Sequence, residues 1–214
     1  MNKNIPDRLL KFSSYFLRLA EKESLSTILK NIEEMDTYIA RKEYAEKKLS
    51  HLSSGSSRIV YLTPSKTIVK LAKNDKGIAQ NKAEANPEMK SKFLNKILSS
   101  SKDGIWIEVP YLNKITEKDF EEMTGLKFED FGESIRYALK EVSGNTDKKK
   151  PKNFAEVEKS DIYKELKDIG DKFKLMPGDI ARISSWGAKD GNPVLIDAGL
   201  TADVFADFYE DSSS

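Results

Sequence analysis

The hydrophobic positions of this chain change period several times along its length. Leu9, Leu10, Phe12, Phe16, Leu17 and Ala20 recur at helical spacing, with Pro6 placed for a first turn. Leu25, Ile28, Leu29, Ile32, Met35 and Ile39 continue that spacing and run into the polar segment ARKEYAEKKLS. Residues 6–50 are therefore expected to be helical, packing on whatever follows or docking a partner. The period then shortens. SSGSSRIVYLTPSKTIVKLA holds a Ser/Gly turn, an apolar run, a Thr-Pro-Ser-Lys turn and a β-branched run, which predicts a hairpin of two or three strands. GIAQNKAEANPEMKSKFLNKIL predicts a helix interrupted at Pro87, and GIWIEVPYL a buried strand leading into an extended segment.

In the second half, TEKDFEEMTGL and KFEDFGESIRYALKEV predict two short helices, each opened by a cap or an acidic first turn. SGNTDKKKPKN predicts a charged loop and is the segment best suited to disorder. Its lysines fit a solvated loop better than a nucleic-acid contact. FAEVEKSDIYKELKDIGDKF is helical again, and PVLIDAGL predicts a late strand that ends on Asp197. There is no internal repeat. Helices, a small β-rich unit with one embedded helix, more helices and late strands make an α+β chain, with a crossing between two lobes expected near residues 109–113.

Composition narrows the chemistry. The 214 residues suit one large domain or two small lobes, and a net charge of +1 argues for no nucleic-acid partner. The absence of cysteine excludes disulfides, thiolate zinc sites and thiol catalysis. A single histidine, His51, weighs against histidine metal sites and Ser-His-Asp chemistry. No apolar run approaches the ~20 residues that span a bilayer, and the N-terminus lacks the apolar block of a secretory signal. A soluble, cytoplasmic chain without a membrane partner is expected.

Four features then fall in order. Residues 53–57, SSGSS, form a small-residue turn whose backbone N–H groups, at Gly55, Ser56 and Ser57, suit phosphate oxygens; such turns are also common in β proteins. Lys70 lies in the strand TIVKLA, fourteen residues before Glu84. It either faces solvent or is held by that acid over a ligand. Asp179 follows Pro177-Gly178, as an ordinary turn residue or as an acid that orients an attacking hydroxyl. Asp197 comes eighteen residues later. A hairpin built on Ile183 and Val194-Leu195-Ile196 would bring both aspartates to one cleft edge, one facing the nucleophile and the other a Mg²⁺ on phosphate oxygens. If instead these are scattered turn residues, Lys70 and Glu84 will point apart and the two aspartates will not share a cleft. Trp106 and Trp186 read as core or interface aromatics.

On these residues the sequence resembles the protein-kinase-like superfamily. SSGSSRIVY, TIVKLA and AEAN look like its glycine-rich loop, strand lysine and helix glutamate. GDIARISSWG is similar to the catalytic loop of small-molecule kinases, LIDAGL to the metal-binding segment, and IEVPYL to the hinge. The wording also looks like that of compact kinase-like proteins of bacteriophages, which would place the chain in the host cytoplasm or the virion. The resemblance implies a two-lobed α+β fold. Residues 1–50 would be a helical extension, 51–112 a β-rich nucleotide-binding lobe, and 113–214 a reduced helical lobe. It implies ATP and Mg²⁺ as cofactors, with the backbone around Glu108 and Pro110 holding adenine. Lys70 and Glu84 would hold phosphates, Asp179 would orient an unknown hydroxyl acceptor, and Asp197 with Ser184 would take the metal. Several positions depart from the family. Ser184 stands where it has asparagine, Ala198 where it has phenylalanine, and Gly178 where protein kinases have arginine. Gly55 is the loop's one glycine, and with seventeen residues beyond Asp197 a peptide-docking platform is not expected. A phosphotransferase is the first expectation, and a pseudokinase-type binding module or phage regulatory protein the alternative.

Overall fold

The architecture is that of a computed structural model, which describes residues 23–209. The helix expected over residues 9–20 lies outside them. Two compact units divide the chain, Met1–Lys48 and Leu49–Ser214.

In the first unit, Ser24 caps helix α1 (Leu25–Glu34) by accepting from Thr27 N. Ile28, Leu29 and Ile32 form its buried stripe. Met35 is extended and ends the helix, so the chain restarts in a new phase as α2 (Tyr38–Lys48). Ile39 therefore leaves the expected stripe and is 67% exposed. Glu23 ties the pair together, accepting from Asn31 Nδ2 and Tyr44 Oη at 2.7 Å each and pairing with Lys48 at 2.9 Å.

The second unit opens with three antiparallel strands, β1 (Ser50–Ser54), β2 (Arg58–Leu62) and β3 (Thr67–Ala72). After helix α3 (Asp75–Glu84), β4 (Ser99–Ser100) and β5 (Trp106–Pro110) complete a sheet of order β1-β2-β3-β5-β4. β3 is central, which is why TIVKLA is buried almost throughout rather than alternating. Side chains still alternate between faces. Val60, Lys70 and Ile107 are register partners across β2, β3 and β5, so they share a face with Arg58, Ile68 and Val109.

Helix α3 is held by an unusual stripe. Asn74 caps it, and its buried positions are Gly77, Gln80, Asn81 and Glu84, helical spacing without one large apolar residue. Close approach replaces apolar packing here. A Cβ at Gly77 would lie 2.1 Å from Ser57 O, and one at Gly199 2.7 Å from Gln80 O.

The remaining elements are mainly helical. They comprise α4 (Glu117–Thr124), α5 (Phe128–Ala138), α6 (Phe154–Val157), α7 (Asp161–Phe173) and the short turn α8 (Pro177–Ile180). A 3₁₀ turn (Ile183–Ser185) leads to the hairpin β6 (Trp186–Lys189) and β7 (Asn192–Leu195), followed by α9 (Ala202–Tyr209). Ile183, expected in the hairpin, lies in the 3₁₀ turn instead. The hairpin closes on Asp190-Gly191, both at positive φ (50° and 74°), the geometry a two-residue turn needs. Trp186 is fully buried, with Phe120, Phe128 and Phe131 at ring distances of 5.5, 6.4 and 5.8 Å. Trp106 is also buried.

Gly77→Ala is expected to cost about 1–3 kcal/mol, because the new methyl meets backbone rather than a side chain that can swing aside. Urea unfolding measures it. Gly178→Ala, where a Cβ meets nothing within 4 Å, should stay within about 0.5 kcal/mol of the parent.

Candidate functional site

The middle of β3 delivers a lysine into a dry place. Lys70 is 6% exposed, and an ammonium there requires partners. Its Nζ donates to Glu84 Oε1 at 2.6 Å and to Ile196 O at 2.7 Å, and lies 3.8 Å from Asp197 Oδ1. Glu84 is itself buried at the end of α3. The pair expected from the sequence is thus brought together, and the solvent-facing alternative for Lys70 is removed.

A second cation completes the arrangement, and it was not anticipated. Arg58, at the start of β2, is buried beside Lys70. Its Nη1 donates to Glu84 Oε2 at 2.7 Å and Asn81 Oδ1 at 3.2 Å, and its Nη2 to Asp197 Oδ1. Burial opposes the charge on Arg58, but Asp197 and Glu84 more than offset it and raise its pKa above the ordinary arginine value. Burial likewise works against the Asp197 carboxylate, yet Arg58 and Lys70 hold its pKa well below the usual range. Two cations and two carboxylates form one closed network.

Asp179 and Asp197 line the same cleft. It has two adjoining compartments of about 620 and 530 Å³ that share Ser53, Val60, Lys70, Asp179, Arg182 and Asp197. The larger is walled by apolar side chains such as Leu52, Ile68, Val109 and Ile196. The smaller is polar, lined by residues 53–58, Gln80 and Tyr209. Asp179 is fixed from behind: Trp186 Nε1 donates to Ile180 O at 2.8 Å, and Arg136 Nη2 to Ala181 O at 3.0 Å. Arg182 Nη1 is 3.6 Å from its carboxylate. Burial, then the charge of Asp197, push the Asp179 pKa up, against the pull of Arg182, Arg58 and Lys70.

Other expected contacts are placed differently. Gly55, Ser56 and Ser57 do line the polar compartment. The Gly55 N–H, however, donates to Arg58 O at 2.8 Å and is taken up within the turn, while the Ser57 hydroxyl bonds Gln80 Oε1 at 2.6 Å. Pro110 lines the apolar compartment, with its carbonyl accepting from Asn95 Nδ2 at 3.1 Å. Glu108 is turned away, because it pairs with Val69 on the opposite sheet face. Its carboxylate accepts from Thr67 Oγ1 and Ser99 Oγ at 2.7 Å each, and its carbonyl from Leu98 N at 2.8 Å. Ser184 lines the cleft in the 3₁₀ turn.

Mg²⁺ was expected at Asp197 and Ser184. In this arrangement Asp197 Oδ1 already carries Arg58, and among the described residues no group of three or more carboxylates or histidines would hold a divalent cation by itself.

No protein-family model matches the sequence, and no curated protein matches it. Among solved structures, the chain is similar to a streptomycin–ATP ternary complex of APH(2")-IIa, at 15% identity and a TM-score of 0.36, over 80% of this chain and 74% of that one. It is similar at the same identity and TM-score to ADP-bound aminoglycoside phosphotransferase APH(2'')-Ib, over 79% and 74%.

The raised pKa of Asp179 carries a stability sign. A fold that disfavours the ionised carboxylate is penalised above the folded-state pKa and not below the unfolded value of about 3.9. Asp179→Asn is therefore expected to raise the melting temperature at neutral pH, with the gain shrinking as pH falls toward about 4. Thermal melts of both proteins across that range measure it.

Proposed function

We propose that this cleft binds ATP and that the chain is a kinase-like phosphotransferase, a two-lobed design in which Asp179 serves a hydroxyl acceptor. One observation carries the reading: a buried lysine held by Glu84 shares a cleft with Asp179 and Asp197. Adenine would enter the apolar compartment, between Val60 and Ile68 on the sheet and the backbone of residues 110–112. The polyphosphate would extend toward residues 53–57, where Lys70 and Arg58 supply the positive charge.

In the reaction, the acceptor oxygen attacks the γ-phosphorus while Asp179 takes its proton. A new O–P bond forms, the bond to the β,γ-bridging oxygen breaks, and ADP leaves with that electron pair. A carboxylate with a raised pKa suits this role, since its proton affinity lies nearer the working pH. Most of the acceleration would come from positioning and from fixed cations facing the transferred group.

Calorimetric titration of ATP tests the binding half. The parent protein should bind, and Lys70→Ala should weaken binding about tenfold or more; no binding by the parent overturns the reading. A screen of hydroxyl compounds for ATP-dependent phosphorylation tests transfer, with Asp179→Asn expected to lower turnover by about 10²–10⁴-fold. ATP binding with transfer to no acceptor would favour the nucleotide-binding module instead.

A further inference from the structure

We propose that Arg58 is the resident cation of this cleft: its guanidinium takes the place of a divalent metal at Asp197, so that the site engages a nucleoside polyphosphate without metal. The proposal rests on the nucleotide-binding reading but concerns a residue and a ligand form that the reading does not specify.

Placement is the first argument. Arg58 lies two residues before Val60 on the cleft face of β2, and its guanidinium is enclosed by Glu84, Asn81 and Asp197 rather than reaching into solvent. A side chain held by three others is fixed before any ligand arrives, which makes it a preorganised charge. Its β2 and α3 contacts are also the ones that place Lys70, so both cations meet one polyanion from one wall of the polar compartment.

Charge balance is the second. Lys70, Arg58, Arg182 and Lys114 stand against Glu84, Asp197 and Asp179, which leaves the cleft with one positive charge to spare and no metal added. A divalent ion taking Asp197 Oδ1 would displace the buried guanidinium of Arg58 from that oxygen. A polyphosphate meets no such obstacle. Its oxygens can take the unused donors of Arg58 and Lys70 while Glu84 keeps both cations in place.

Two measurements test it. The first is Mn²⁺ uptake by the nucleotide-free protein, read by electron paramagnetic resonance. The parent should take up no Mn²⁺, Arg58→Gln should bind one ion, and Arg58→Gln with Asp197→Asn should lose it. Uptake by the parent equal to that of Arg58→Gln, or none by a folded Arg58→Gln, overturns the proposal. The second uses only the parent protein and so survives a variant that fails to fold. ATP is titrated in excess EDTA and in excess MgCl₂, and the two dissociation constants should agree to within about threefold. Binding about tenfold or more tighter with Mg²⁺ overturns the proposal. If ATP binds under neither condition, the nucleotide reading fails, and the Mn²⁺ result alone decides whether Arg58 blocks the metal position.

Discussion

The cleft depends on the carboxylate of Glu84, which holds two buried cations at once. One oxygen takes the ammonium of Lys70 and the other the guanidinium of Arg58. A lone anion at 5% exposure would be costly, and so would either cation alone. Together they are mutually compensated. Asp197, at the cleft end of the network, answers the charge still left on Arg58 and sits within 4 Å of Lys70.

This requirement shapes the elements around it. Helix α3 must come close enough to β2 and β3 for Glu84 to reach both cations, and large apolar residues on its inner face would hold it off. Its inner positions are instead Gly77, Gln80, Asn81 and Glu84, each bonded to the strands or admitting their backbone. Asn81 also donates to the carbonyls of Lys70 and Gly104, fixing the helix to β3 and to the turn before β5. On the other side, the Gly199 backbone lies against Gln80, so the segment carrying Asp197 is located by the same helix. Aromatic packing does the remaining work: Trp186 anchors the Asp179 turn through Ile180 O.

Much of this was legible in the sequence, where ordinary patterns prevail. The central strand announced itself as TIVKLA, the break at Pro87 fell after α3, and the spacing of Lys70, Glu84, Asp179 and Asp197 matched a shared cleft. Arg58 was hidden because it opens an apolar run. Beside IVYL it looks like a surface charge at a strand end, and only the register with β3 shows which face it occupies. The inner face of α3 was hidden for a related reason: periodicity searches follow apolar residues, and this stripe is polar. Glu108 was expected through its backbone, and that carbonyl accepts from Leu98 N within the sheet, while its side chain faces away from the cleft that Val109 and Pro110 line. Met35 shows the same limit, since one extended residue shifted the helical phase and exposed Ile39.

The claim on which the site rests is that Arg58 and Asp197 are coupled across the cleft. A double-mutant cycle on the unliganded protein measures it, using Arg58→Gln, Asp197→Asn and the combination, with urea unfolding as the readout. For a close charge pair with Arg58 buried and Asp197 about half exposed, the account predicts a coupling of about 1 kcal/mol or more. Effects that add to within about 0.3–0.5 kcal/mol would mean that the two residues act independently, and would contradict it.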